Sequence, residues 1–280
     1  MTCPDLTTMR PLLHEFEAAL HSFTQSSSTI ALLRTVPTSA APRASSAART
    51  LIVLDSSFNP PTRAHAALAR AALRTDPGES PKRLLLLLAT QNADKAPQPA
   101  SFAHRLVLMT LFAQDLHSTL PSSPPIPIDI GVTKHAIFVD KSAALETSSL
   151  YPLSTPAPAP PQQVHLIGYD TYTRLLDPKY YPPTQTLAPL APFLTRHRLR
   201  VTLRTSDKWG DRAAQEAEVA RLAEGGREAE GGRREWARNV QVVESVNEAE
   251  GGRGGDWEAL RGLVTEGVAR WIQEEGLYRD

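Results

Sequence analysis

The stretch LIVLDSSFNPPTRAHAALARAAL, residues 51–73, opens as an apolar run of strand length and closes as a helical pattern. LIVL carries no polar alternation, which marks a strand covered on both faces. From Arg63 onward, Leu68 and Ala72 share one helical face while Arg63, Arg70 and Arg74 share another, solvated one. Between strand and helix, Pro60 and Pro61 set φ and restrict the residues before them, so the turn is stiff. Thr62 takes the N-cap position and His65 the first turn, where free N–H groups and the positive end of the helix dipole offer a place for phosphate. The unit is either a capped junction with an exposed histidine or an anion site.

Working outward, strand-length apolar runs recur at RLLLLLA (83–89), IDIGV (128–132), VHLIG (164–168), LRVTL (199–203) and NVQVV (239–243). Helical patterns at 64–75, 101–117, 136–145, 171–176, 211–223 and 256–274 alternate with them. Such alternation predicts a parallel sheet with helices on both faces, an α/β, Rossmann-like, doubly wound domain that binds ligands at the C-terminal ends of its strands. The domain is expected over 49–280, with exposed Pro-rich loops at 121–127 and 151–161. Ahead of it, residues 1–48 read as an amphipathic helix at 9–24, docked on the body, and a Ser/Ala/Pro linker at 35–48. AEGGR occurs three times, at 223–227, 229–233 and 249–253, a glycine-rich expansion rather than a solenoid period.

Thirty basic and thirty acidic residues cancel over 280 positions, so no overall field favours nucleic acid or an anionic membrane. One cysteine, Cys3, rules out an intrachain disulfide framework and a CxxC metal site. The eight histidines show no HxH or HExxH clustering, so no protein metal site is expected. No membrane span and no signal-peptide core is legible, and a cytoplasmic or nuclear location is the expectation.

SFNPPTRAH, 56–65 with its leading serine, resembles the signature of the nucleotidylyltransferase superfamily, in which a His/Thr-x-x-His pair holds the phosphates of ATP. Further segments resemble nicotinamide mononucleotide adenylyltransferases, fungal ones in particular. The resemblance implies that His65 and Thr62 serve catalysis and that Ser57, Phe58 and Asn59 line the ATP site. In ATQNADKAPQPASFAHRLVLM, 89–109, Lys95 matches a lysine near the mononucleotide phosphate; the plain alternative is an incidental lysine in a turn. LIGYDTYTRLL, 166–176, is similar to a G-x-D segment, so Gly168 would allow close approach of the nucleotide and Asp170 would accept from ribose hydroxyls. LRVTLRTSDKWG, 199–210, resembles the nicotinamide side, with Arg204 and Trp209 implied there; Trp209 either stacks on a pyridinium or packs by its edge. In GVTKHAIFVDKSAAL, 131–145, Lys134, Asp140 and Lys141 read as loop charges rather than site residues.

One segment departs from the pattern. Where the family carries an ISSTxxR-like motif, this chain has Val243, Glu244, Ser245, Val246, Asn247, Glu248 and Ala249, and only Ser245 matches. Glu244 would place a negative charge near phosphates, at a cost of roughly 1 to 4 kcal/mol. Arg253 either replaces the missing cation from a GGRGG nest or belongs to a solvated linker. The resemblance implies transfer of an adenylyl group from ATP to a pyridine mononucleotide, with Mg²⁺ accompanying ATP. A nucleotide-binding protein with weak or no transferase activity, or a related adenylyl- or cytidylyltransferase with another acceptor, are the alternatives.

Overall fold

A computed structural model describes residues 9–38, 48–90, 100–120, 125–151, 159–204, 207–243 and 257–278. Among these, the strands are β1 (Ile30–Val36), β2 (Thr50–Asp55), β3 (Lys82–Ala89), β4 (Ile128–Thr133), β5 (Gln162–Gly168), β6 (Arg198–Thr202) and β7 (Val240–Val243). They form a sheet in the order β1-β4-β3-β2-β5-β6-β7. All neighbours from β4 to β7 are parallel, and β1 alone runs antiparallel, against β4. The order reverses at β2, which is flanked by β3 on one side and β5 on the other. The C-terminal tips of β2 and β5 therefore form the switch point, where an open α/β sheet leaves room for a ligand. This is the doubly wound α/β architecture expected from the alternation of patterns.

The continuous apolar strands divide their side chains between two cores. On β2, Ile52 and Leu54 enter a cluster with α1 (Met9–Gln25), α2 (Arg63–Thr75), α3 (Phe102–Thr119) and α9 (Glu266–Glu275). Leu51 and Val53 point to the other face, with Leu145 of α4 (Phe138–Thr147) and Tyr151. Every one of these strand residues is essentially inaccessible, which is why alternation is missing from the sequence. The half of the sheet around β6 packs against α5 (Tyr169–Leu175), α6 (Ala191–Arg196), α7 (Arg212–Ala220) and the turn carrying Trp236.

Helix α1 is where the sequence places it, and its Met9, Leu12, Phe16 and Phe23 belong to the main core. Strand β1 is an element that the sequence reading does not contain. It is held by Thr35, whose hydroxyl donates to Asp129 Oδ1 at 2.7 Å. Asp129 also receives a bidentate pair from Arg83 (2.8 and 2.6 Å) and the Tyr151 hydroxyl at 3.1 Å, so this buried charge is fully satisfied.

Two further expectations change. The helix anticipated over 256–274 is two, α8 (Trp257–Leu263) and α9, because Asp115 of α3 accepts from the Gly267 N–H at 2.9 Å and caps a new N-terminus there. The first two AEGGR copies, at 223–227 and 229–233, are ordered turns rather than low-complexity chain. Arg227 pairs with Glu218 and with Glu230 (2.9 Å), and Arg234 with Glu228 (2.9 Å). Gly225 and Gly231 supply the positive φ (84° and 87°) that such tight turns require. Among the described residues no helix is long and apolar enough to cross a membrane.

Candidate nucleotide site

Leaving β2, the chain bends through Ser56 and Ser57 to Phe58, whose φ of +44° lies in the left-handed region. For a bulky residue that conformation costs on the order of 1 to 3 kcal/mol and needs surroundings that enforce it. Here the enforcement is the ring, fully buried in the main core and 5.4 Å from the His65 imidazole. Of Phe58, expected in the ATP site, only main-chain groups are thus left for a nucleotide. Ser57 is exposed. Asn59 is tied down, its Oδ1 accepting from the Tyr278 hydroxyl at 2.7 Å.

Thr62 is the N-cap of α2, as expected, and its partner is His65. The Thr62 backbone N–H donates to His65 Nδ1 at 3.0 Å, and the Thr62 hydroxyl lies 2.8 Å from the same atom. An Nδ1 that accepts from a backbone N–H carries no proton, so the neutral imidazole holds its hydrogen on Nε2. That nitrogen lies 3.1 Å from Ser56 Oγ. Burial, and after it the charge of Arg204, pulls the His65 pKa from 6.5 down to about 4. At neutral pH the first turn of α2 therefore presents one uncharged N–H donor with a fixed direction.

The tips of β5 and β6 bring the second group. Asp170, on the first turn of α5, accepts from Arg204 Nε (2.9 Å) and Nη2 (2.5 Å) through Oδ1, and from Arg174 Nη2 (3.1 Å) through Oδ2. A side chain on Gly168 would have its Cβ 2.6 Å from Asp170 Oδ1 and 2.9 Å from Arg204 Nη2, so glycine is what lets this pair lie across the β5 tip. Asp170 is thus engaged by two guanidinium groups. Arg204 sits just beyond Thr202, the register partner of Gly168. Trp209 is half-buried, edge-on to Tyr169 at 6.2 Å, and the Lys208 ammonium lies 5.6 Å from its ring. Its contact with Tyr169 is edge-to-face.

Three expected site residues, Lys95, Ser245 and Arg253, lie outside the described residues. Three others enter that sequence reasoning did not select. Ser56 meets His65 as above. Asp55, the last residue of β2, is ion-paired with Lys141 of α4, and both are buried. Lys141 is thus a helix residue facing the strand tips and not a loop charge; its ammonium also lies 5.3 Å from the Phe138 ring. The signal was present in the sequence, since a charge at the end of an apolar strand needs a partner, but the partner is 86 positions away.

The structure thus collects Thr62, His65, Gly168, Asp170 and Arg204 at the C-terminal ends of three adjacent strands. No family model matches the chain. A Schizosaccharomyces pombe protein named "Putative nicotinamide mononucleotide adenylyltransferase" is 34% identical over 176 residues, 63% of this chain. The chain covers 59% of that relative's length. Among solved structures, Plasmodium falciparum nicotinic acid mononucleotide adenylyltransferase complexed with NaAD aligns over 82% of this chain and 97% of that one, at 10% identity and a TM-score of 0.49. The Plasmodium enzyme complexed with APC aligns over the same shares at 8% identity and a TM-score of 0.42. By its SFNPPTRAH turn and by this fungal relative, the chain resembles the nicotinamide mononucleotide adenylyltransferases.

Proposed function

We propose that the chain is a nicotinamide (or nicotinate) mononucleotide adenylyltransferase, joining the mononucleotide to ATP to give the dinucleotide and pyrophosphate. The observation that carries this reading is the oriented His65 Nε2–H at the switch point, set by the Thr62 N–H on the opposite ring nitrogen. The mononucleotide 5′-phosphate attacks the α-phosphorus of ATP in line; the bond from that phosphorus to the bridging oxygen breaks, and pyrophosphate leaves with the electron pair. Such a reaction needs positioning and charge stabilisation more than covalent help from the protein. His65 donates to an α-phosphate oxygen as charge builds, exchanging Ser56 for the substrate. Thr62 and the free amides of α2 hold phosphate, and Arg204 and Asp170 receive the nucleoside portion.

Mg²⁺ belongs in this reading as a companion of ATP. The carboxylates at the strand tips, Asp55 and Asp170, are both ion-paired with cationic side chains, so they do not fit a dedicated protein site for the ion. Mg²⁺ in nucleotide sites commonly keeps water and phosphate oxygens as ligands. No step above depends on it.

Dinucleotide formation from ATP, Mg²⁺ and each mononucleotide tests the proposal. The wild-type chain is expected to turn over, and His65→Ala to lose about 10²- to 10⁴-fold in kcat with its circular dichroism unchanged. Full turnover in His65→Ala would sink the assignment. The second reading, binding without transfer, is favoured by Glu244 and the residues after it where an ISSTxxR-like motif is expected. Calorimetric binding of ATP without any dinucleotide product would establish it.

A further inference from the structure

Among the described residues, β6 pairs with β5 and β7 as far as Gly168–Thr202 and Thr202–Val243, and no described strand pairs with Arg204. Its backbone is nevertheless satisfied, by a side chain. Gln215, on α7 and completely buried, accepts from the Arg204 N–H at 2.8 Å and donates to the Arg204 carbonyl at 2.9 Å. Its other amide hydrogen goes to the Gly210 carbonyl at 3.0 Å. Both donors of the amide are in use, and its oxygen serves the same residue. Only a primary amide offers that combination; a carboxylate lacks the donors and an aliphatic chain lacks everything.

The amide therefore stands in for a neighbouring strand and extends the order of β6 as far as Arg204. What it orders is the residue whose guanidinium lies across the β5 tip. Arg204 reaches Asp170 with two nitrogens on one carboxylate oxygen, a geometry that depends on where its Cα is held. Gly168 leaves that crossing no slack, because a single added carbon there would strike both partners. Residue 215 itself is inaccessible and touches no position a substrate could occupy.

We infer that Gln215 is a positioning residue for the transfer reaction: by reading both backbone groups of Arg204 it holds that guanidinium across Asp170 at the strand tips, where the nucleotide is bound. The inference rests on the function proposed above. It differs from a merely structural role in one respect: loss of the amide must move Arg204 and not only loosen α7.

The Arg204 charge reaches His65 and helps to depress its titration, so the imidazole reports where Arg204 is. The experiment compares wild type, Gln215→Met, Arg204→Gln and the double variant, all free of ligand, by NMR titration of the His65 ring, and then by kcat/KM for dinucleotide formation. Methionine keeps the volume and deletes the hydrogen bonds. Gln215→Met and Arg204→Gln are each expected to move the His65 titration upward from about 4, and the double variant no further than Arg204→Gln alone. A fall in kcat/KM on the order of 10- to 100-fold accompanies the single change, as for other misplacements of about 1 Å. Should Gln215→Met not fold, Gln215→Asn, which sets the amide back by one methylene, takes its place with the same readouts. An unmoved His65 titration, with only the melting temperature lowered, overturns the inference. A wild-type chain that makes no dinucleotide sinks the reading of the reaction and this inference with it, even where the titration shows Gln215 steering Arg204.

Discussion

Oγ of Ser56 lies 3.1 Å from Nε2 of His65, so the one proton of the neutral imidazole already has a partner before any nucleotide arrives. A phosphate that claims this proton must replace Ser56, and an anion so close favours the imidazolium form. In the free protein His65 is expected to titrate near pH 4 as the Nε2–H tautomer, and saturating ATP is expected to raise that value. Nitrogen-15 spectra of the ring check both. A pKa indifferent to ATP would mean that no phosphate meets the ring.

Acid should destabilise the fold through three histidines. His65 is lowered to about 4 and His197 to about 3, with burial the first cause in both, and His165 lies well below its usual value for the same reason. These groups are neutral in the folded chain, while the unfolded chain takes up protons below about pH 6.5. Their contribution to stability is fully present above that pH and is lost as pH falls towards 3. The slope approaches about 1.4 kcal/mol per pH unit for each histidine within that window. Urea unfolding at pH 7 and pH 5 measures it, and His197→Phe should flatten the difference. Equal stability at the two pH values would contradict the burial of these rings as neutral groups.

Gly168→Ala separates stability from ligand binding. The atoms its methyl would meet are the ends of flexible side chains, Asp170 Oδ1 and Arg204 Nη2, so the fold can give way at a cost of about 1 kcal/mol or less. The ion pair, however, must leave the β5 tip. Thermal unfolding should change little while affinity for ATP or the mononucleotide falls. Unaltered affinity would detach this pair from the nucleotide site.

Removing the Lys141 ammonium strands the Asp55 carboxylate in a buried place. Lys141→Met should cost about 3 to 5 kcal/mol, and Asp55→Leu combined with Lys141→Met should recover most of it, because a buried pair replaced as a unit is close to neutral. Denaturant unfolding of the three variants reads this directly. A double variant as unstable as Lys141→Met alone would show that the pair is not the unit.

What was legible in the sequence was what short-range physics controls. Parallel strands such as β3 announce themselves because residues such as Leu84 to Leu88 are buried on both sides of the sheet, and an unbroken apolar run of that length is what a doubly covered strand requires. Thr62 and His65 were legible because a cap and its partner sit three residues apart. Strand β1 was not, since as an edge strand it buries only its two end residues fully and carries Arg34 in the middle. The break between α8 and α9 leaves no local mark because its cap, Asp115, comes from 152 positions away. Arg227 looks like one cation in a glycine-rich run until Glu218 and Glu230 are brought to it. Gln215 gives no local signal at all, for its value lies in two carbonyls and one amide that only the folded chain delivers.

The hydrogen bond from Tyr278 to Asn59 joins positions 219 apart. During synthesis β2 and the bend after it are made well before residue 278, so the Tyr278 hydroxyl reaches Asn59 only later. The bend after β2 therefore gains this contact only once 219 further residues have been made.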